Sequence, residues 1–203
     1  MSGHDSPLVE FDRVDLSRGG RVIVEDFSMR IEPGEVVALV GPSGRGKTTV
    51  LHAAAGLVEP SAGTVTRRVE RQGVLFQEPR LLPWMSVQRN VLLGAPGRGV
   101  WSRSSNPDVE RLLESVGLEG TAAMPPFRLS GGMQRRVALA RALFGDPAVV
   151  FADEPFAHLD SGSARLVAEV LSRAADSGVA VLVTAHDTGE PFPLMGNYRT
   201  LIL

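Results

Sequence analysis

The sequence predicts an α/β fold: a mainly parallel sheet flanked by helices, with an antiparallel β subdomain at the N-terminal end and a helical subdomain inserted later. Two patterns predict it. Short, wholly apolar runs recur at Val36–Val40, Ala148–Ala152 and Val179–Val183, separated by helix-forming stretches, as expected of strands covered on both faces. Before Val36 the period is different. Apolar and polar side chains alternate in Val9–Asp12 and Phe27–Ile31, punctuated by Gly19-Gly20 and Pro33-Gly34, the pattern of half-buried strands joined by turns.

Composition narrows the function. The 203 residues carry 21 Lys and Arg against 23 Asp and Glu, so the clustered basic excess that nucleic-acid binding requires is absent and no nucleic-acid partner is expected. No apolar run approaches the roughly 18–20 residues needed to span a bilayer. Met1–Asp5 offers neither a basic leader nor an apolar stretch, so a cytoplasmic location is expected. Without cysteine, disulfides and thiolate metal sites are excluded.

In chain order, the first chemistry-bearing element is Gly41-Pro42-Ser43-Gly44-Arg45-Gly46-Lys47-Thr48, between the strand Val36–Val40 and a helix-forming run from Thr49 to Ala55. It matches the phosphate-binding P-loop in both pattern and context. Its glycines let successive N–H groups turn toward phosphate oxygens, and the helix N-terminus adds positive potential. Lys47 supplies a full charge and the Thr48 hydroxyl a ligand for Mg²⁺. Removing Lys47 is expected to cripple nucleotide binding. His52, alone in the following helix, reads as a packed or surface residue rather than a ligand.

Further along, the run Gly94–Asn106 is rich in Gly, Pro, Arg and Ser and reads as a surface loop. A helix over Pro107–Val116 is well specified: Asn106 caps it, Pro107 sits at its first position, Val109, Leu112, Leu113 and Val116 share a face, and Gly117 ends it. Ser130 is an N-cap candidate, with Gly131-Gly132 exposing N–H groups at the start of a helix through Leu143, which makes a second anion site. The strand Val149–Ala152 ends in Asp153-Glu154. An acid pair there fits a Mg²⁺ ligand and a general base, and alternation along an extended chain would send Asp153 to the metal and Glu154 to the attacking water.

Together, Gly41–Thr48, Leu129-Ser130-Gly131-Gly132-Met133-Gln134 and Asp153-Glu154 resemble the motifs of ABC transporter ATPases, and the resemblance runs from Phe11 to His186. It implies a P-loop NTPase fold over one domain, 1–203, with a helical subdomain of about 80–145 inserted in the core. It implies ATP as substrate, Mg²⁺ as cofactor, and a head-to-tail dimer in which Ser130, Gly131, Gly132 and Gln134 of one copy close on the nucleotide held by residues 41–49 of the other, Thr49 included. It assigns Gln77 as a residue sensing Mg²⁺ and water, Asp160 as a contact to the second copy, and His186 as a γ-phosphate contact. Arg18 stands where the family has an adenine-stacking aromatic; a guanidinium can also stack on a purine.

The run Phe76–Trp84 together with Asp153–Phe156 is similar to the ATPases of bacterial nitrate, sulfonate and taurine importers. That implies a peripheral protein on the inner membrane face, bound to a transmembrane permease, with an extracytoplasmic solute-binding protein upstream. Leu81–Met85 is either part of the permease contact or core packing, since an apolar run does not show which way it faces. Pro191 and Pro193 are expected to shorten the helix that usually follows His186, and a strand is expected over Tyr198–Leu203. Two alternatives remain at this point: a soluble ABC ATPase of translation or DNA repair, and a non-hydrolysing switch that uses ATP to dimerise.

Overall fold

The structure, a computed structural model, describes residues 6–95, 106–189 and 191–203; most of the expected Gly94–Asn106 loop lies outside these residues. The chain opens with an antiparallel hairpin of β1 (Val9–Arg18) and β2 (Arg21–Ile31). Its turn places Gly19 at φ 58 and Gly20 at φ 78, the successive left-handed residues of a tight hairpin, where glycine alone pays no Cβ penalty.

A second, five-stranded sheet is entirely parallel. It begins with β3 (Val36–Val40), followed by α1 (Lys47–Ala54). The chain then returns to the first sheet as β4 (Ala62–Arg67), pairing with β1 so that Phe11 lies opposite Val65. This strand, mostly polar and little buried, has no apolar alternation to announce it.

From β5 (Gln72–Leu75) the chain leaves the sheet for α2 (Val87–Leu92), α3 (Pro107–Ser115) and α4 (Gly131–Leu143), all capped at the N-terminus by side chains: Ser86, Asn106 and Ser130. Each cap satisfies amides that precede the first helical hydrogen bond. The sheet resumes with β6 (Val149–Ala152), α5 (Ser161–Asp176), β7 (Ala180–Ala185) and β8 (Arg199–Ile202). Between the last two strands Pro191 and Pro193 limit the chain to one 3₁₀ turn, Phe192–Met195, as the sequence predicts.

The apolar strands still alternate, but between two cores. Val36, Ala38, Val150, Ala152, Val181 and Val183 face the helices α2–α5, while Val37, Leu39, Val149, Phe151, Ala180 and Leu182 face α1 and the antiparallel sheet. The parallel sheet is thereby covered on both sides, which leaves its carboxyl edge as the place where such a sheet presents chemistry. Phe151 is fully buried at its centre. Phe151→Ala is expected to lower unfolding free energy by about 3–5 kcal/mol in urea titration, because the cavity cannot collapse between two packed layers.

Candidate functional site

Strand order sets the site. β5, β6, β7 and β3 are consecutive neighbours in the order β5-β6-β7-β3-β8. The residues just past their carboxyl ends therefore form a row: Gln77, then Asp153 and Glu154, then His186, then Gly41. Four positions separated by up to 145 residues in sequence meet because parallel strands present their ends on one edge.

At one end of the row, the loop from Gly41 to Gly46 leads into α1. Gly46 is the N-cap at φ 95 and provides no side-chain cap. A Cβ there would stand 2.6 Å from Val24 Cγ2 of β2, so the loop rests against the antiparallel hairpin. The first helical bond is Val50 N–H to Gly46 O, 2.8 Å. The amides of Lys47, Thr48 and Thr49 precede it, and no acidic residue balances the first turn, leaving a positive helix end turned outward. Ser43, Gly44 and Arg45 form the exposed turn.

Lys47 is 5% exposed. Its Nζ donates to the carbonyls of Gly41 (2.6 Å) and Pro42 (2.9 Å), and no carboxylate of the described residues pairs with it. A buried ammonium held only by carbonyls is incompletely compensated. Beside outward amides, that is the environment of a polyanion, and a nucleotide phosphate fits it.

Asp153, 2% exposed, accepts at Oδ1 from Thr48 Oγ1 (3.0 Å) and from Thr184 Oγ1 (2.6 Å). Among the described residues no cluster of three or more His, Cys, Asp or Glu could hold a metal alone. The Thr48–Asp153 oxygen pair instead suits Mg²⁺, which binds through one or two protein oxygens and takes the rest of its shell from phosphate and water.

Glu154 departs from the sequence reasoning. The strand ends at Ala152, and Glu154 has φ 45, so pleat alternation does not separate it from Asp153. A left-handed residue does, its N–H donating to Thr184 Oγ1 at 2.9 Å. The carboxylate then lies between two side chains: Gln77 Nε2 donates to Oε2 at 3.0 Å and His186 Nε2 stands 3.4 Å from Oε1. Gln77, expected near the metal, is thus bonded to Glu154. Thr184, fully buried and touching both acids, was missed by the sequence reading; its signal was a single polar residue ending the apolar strand Val181-Leu182-Val183.

The remaining expected residues lie elsewhere. Ser130 caps α4, accepting from Met133 N–H at 3.3 Å, and Gly132 lies beside Leu159. None of the hydrogen bonds among the described residues joins this helix start to the loop 41–49. Gln134 donates to the carbonyls of Pro126 and Leu129, both 3.2 Å, holding the turn into α4. Asp160 caps α5, accepting from Ser163 N–H (2.9 Å) and Oγ (2.7 Å), and these bonds hold its carboxyl below the usual range. Arg18 is exposed where β1 meets the hairpin turn. The run Leu81–Met85 divides: Met85 is core, whereas Trp84 is 75% exposed.

Comparison with known proteins matches the description "ABC transporter" over residues 24–157. An aliphatic sulfonates import ATP-binding protein of Burkholderia cenocepacia is 41% identical over 197 residues, covering 93% of this chain and 72% of that protein. A protein of the same description from Pseudomonas aeruginosa is 39% identical over 203 residues, covering 93% and 80%. Among solved structures, a dimeric bacterial ABC transporter cassette has a TM-score of 0.80 at 27% identity, covering 96% of this chain and 94% of that one. A dimeric cassette in a post-hydrolysis state bound to ADP and Pi has a TM-score of 0.79 at 28% identity, with the same coverage.

Two outcomes follow from this geometry. Thr184→Val removes a donor to buried Asp153 and the acceptor for Glu154 N–H, so thermal unfolding should show a loss of about 1–3 kcal/mol together with reduced nucleotide turnover. His52, packed on Phe76 with ring centroids 6.0 Å apart and its Nε2 buried without a partner, is held below its ordinary value of 6.5 chiefly by burial, with Asp153 opposing and Arg80 and Arg18 reinforcing. The unfolded chain then binds the extra proton first, so this contribution to stability is present above about pH 6.5 and lost as pH falls toward the lower folded value. His52→Leu should flatten the stability difference between about pH 7.5 and about pH 5.5 measured by urea denaturation.

Proposed function

The chain belongs to the ABC transporter family, and from that premise we propose that it is the ATP-hydrolysing subunit of a solute importer, a single ATPase domain over residues 1–203 with residues 80–145 as its inserted helical subdomain. The observation that carries the reading is Glu154, held between Gln77 and His186 one residue after the acid that bonds Thr48.

In this reading the amides of Gly41–Thr49 and the Lys47 ammonium hold the β- and γ-phosphates, and Arg18 stacks on the base. Thr48 and Asp153, with Gln77 nearby, would hold Mg²⁺, which would supply positive charge beside the phosphates. Glu154 receives the proton of the water that attacks the γ-phosphorus, and the bridging oxygen leaves with ADP. Gln77 and His186 restrain the carboxylate, and His186 is also within the row that faces the γ-phosphate. Ser130, Gly131 and Gly132, at a helix start with no acidic first turn, form an anion site that a second copy presents, with Gln134 supporting it and Asp160 beside the contact.

Among the described residues no helix is long and apolar enough to cross a membrane, and transport therefore belongs to a separate transmembrane permease that brings this chain to the inner membrane face. Exposed Trp84 and Pro83 are its docking point. The relatives named for aliphatic sulfonates import support a small organic sulfonate as cargo; an extracytoplasmic solute-binding protein that delivers it is part of the same proposal.

Glu154→Gln tests the reading. Steady-state phosphate release should fall by about 10²–10⁴-fold while ATP binding persists, and light scattering with Mg–ATP should shift the protein from one copy to two. Undiminished turnover, or single copies only, would contradict it.

A further inference from the structure

The segment from Gln77 to Ser86 has no regular secondary structure. Pro79 and Pro83 lack amides, and Arg80 takes a left-handed φ of 47, so this backbone bonds itself little, as at Met85 N–H to Leu82 O, 3.1 Å. Its carbonyls are met instead by side chains from two helices. Arg135 of α4, 5% exposed, donates to the carbonyl of Gln77 and, through its other terminal nitrogen, to that of Ala157. Further along the same helix, Arg141 donates to Pro79 O (2.8 Å) and Arg80 O (2.9 Å). Asn90 of α2, fully buried, accepts from Leu82 N–H (2.7 Å) and donates to Leu82 O (3.1 Å), Met85 O (3.2 Å) and Ser86 O (3.0 Å).

Neither arginine pairs with a carboxylate among the described residues. Burying a guanidinium is costly unless its donors are matched, and here the matching groups are backbone carbonyls: both of the strap for Arg141, one of the strap and that of Ala157 for Arg135. The planar fork, which fixes two acceptors at a set spacing, makes such a contact directional in a way that a lysine would not.

We propose that Arg141 and Asn90 are positioning residues for hydrolysis: with Arg135 they fasten the strap 77–86 to α4 and α2, so that the helix beginning at Ser130 sets how Gln77 meets Glu154. The inference rests on the place of Gln77 at the nucleotide site. The Gln77 side chain meets Glu154, and its backbone carbonyl is bonded to Arg135 of α4. Arg141 thus acts on hydrolysis through the strap and not through a contact with nucleotide.

The test is steady-state ATPase kinetics of the purified protein carrying Arg141→Met, Arg141→Lys or Gln77→Ala. Arg141→Met should lower kcat about tenfold or more with the KM for ATP unchanged, the mark of misplaced groups in the transition state rather than lost binding. Arg141→Lys, which keeps one charged donor in reach of the carbonyls, should recover part of that loss. Wild-type kcat in Arg141→Met with a slow Gln77→Ala overturns the proposal alone; wild-type kcat in Gln77→Ala removes its premise. Should Arg141→Met not fold, hydrogen exchange on the unmodified protein decides: the Leu82 amide, bonded to Asn90 Oδ1, should be protected as strongly as those of α4, and exchange far faster than α4 overturns the clamp.

Discussion

Lys47 is a buried ammonium that the protein declines to pair. Two carboxylates stand in the same row, yet each is occupied by other groups: Asp153 by the hydroxyls of Thr48 and Thr184, Glu154 by Gln77, with His186 close by. Had Asp153 bonded Lys47, the ammonium and the acid would have neutralised each other and the loop would have lost its attraction for phosphate. Keeping them apart requires a fully buried threonine inside a strand and a left-handed residue immediately after another. Both are local costs borne by a scaffold that holds them in place.

That scaffold is the parallel sheet. Because β3, β6 and β7 bury both faces, their register is fixed by packing, and a slip would exchange one core for the other. The carboxyl ends are consequently held in a row without help from the loops. α1 extends this logic: its N-terminus is aimed by Gly46 pressing on β2, so the antiparallel hairpin serves as the backstop of the phosphate loop.

What could be read from sequence was whatever local chemistry determines. The phosphate loop, the caps Asn106 and Ser130, and the strand Val36–Val40 all follow from neighbours within a few residues. β4 was not legible, since a polar, exposed strand has no periodic signature and is formed by pairing with β1. The turn at Glu154 escaped because a left-handed glutamate depends on Thr184, 30 residues away. The hold of Arg141 on Pro79 spans 62 residues, and nothing in either stretch announces the other. Trp84 and Met85 show the same limit at close range: adjacent apolar residues, one exposed and one buried.

The withheld pairing of Lys47 is tested most directly by thermal unfolding of Lys47→Met with and without Mg–ATP. An apolar side chain of similar length relieves an undercompensated buried charge. The account predicts a ligand-free variant at least as stable as the wild type that gains nothing from ATP, whereas the wild type gains about 2.7 kcal/mol at a hundredfold excess over Kd. A variant that is less stable without ligand, yet still stabilised by ATP, would contradict it.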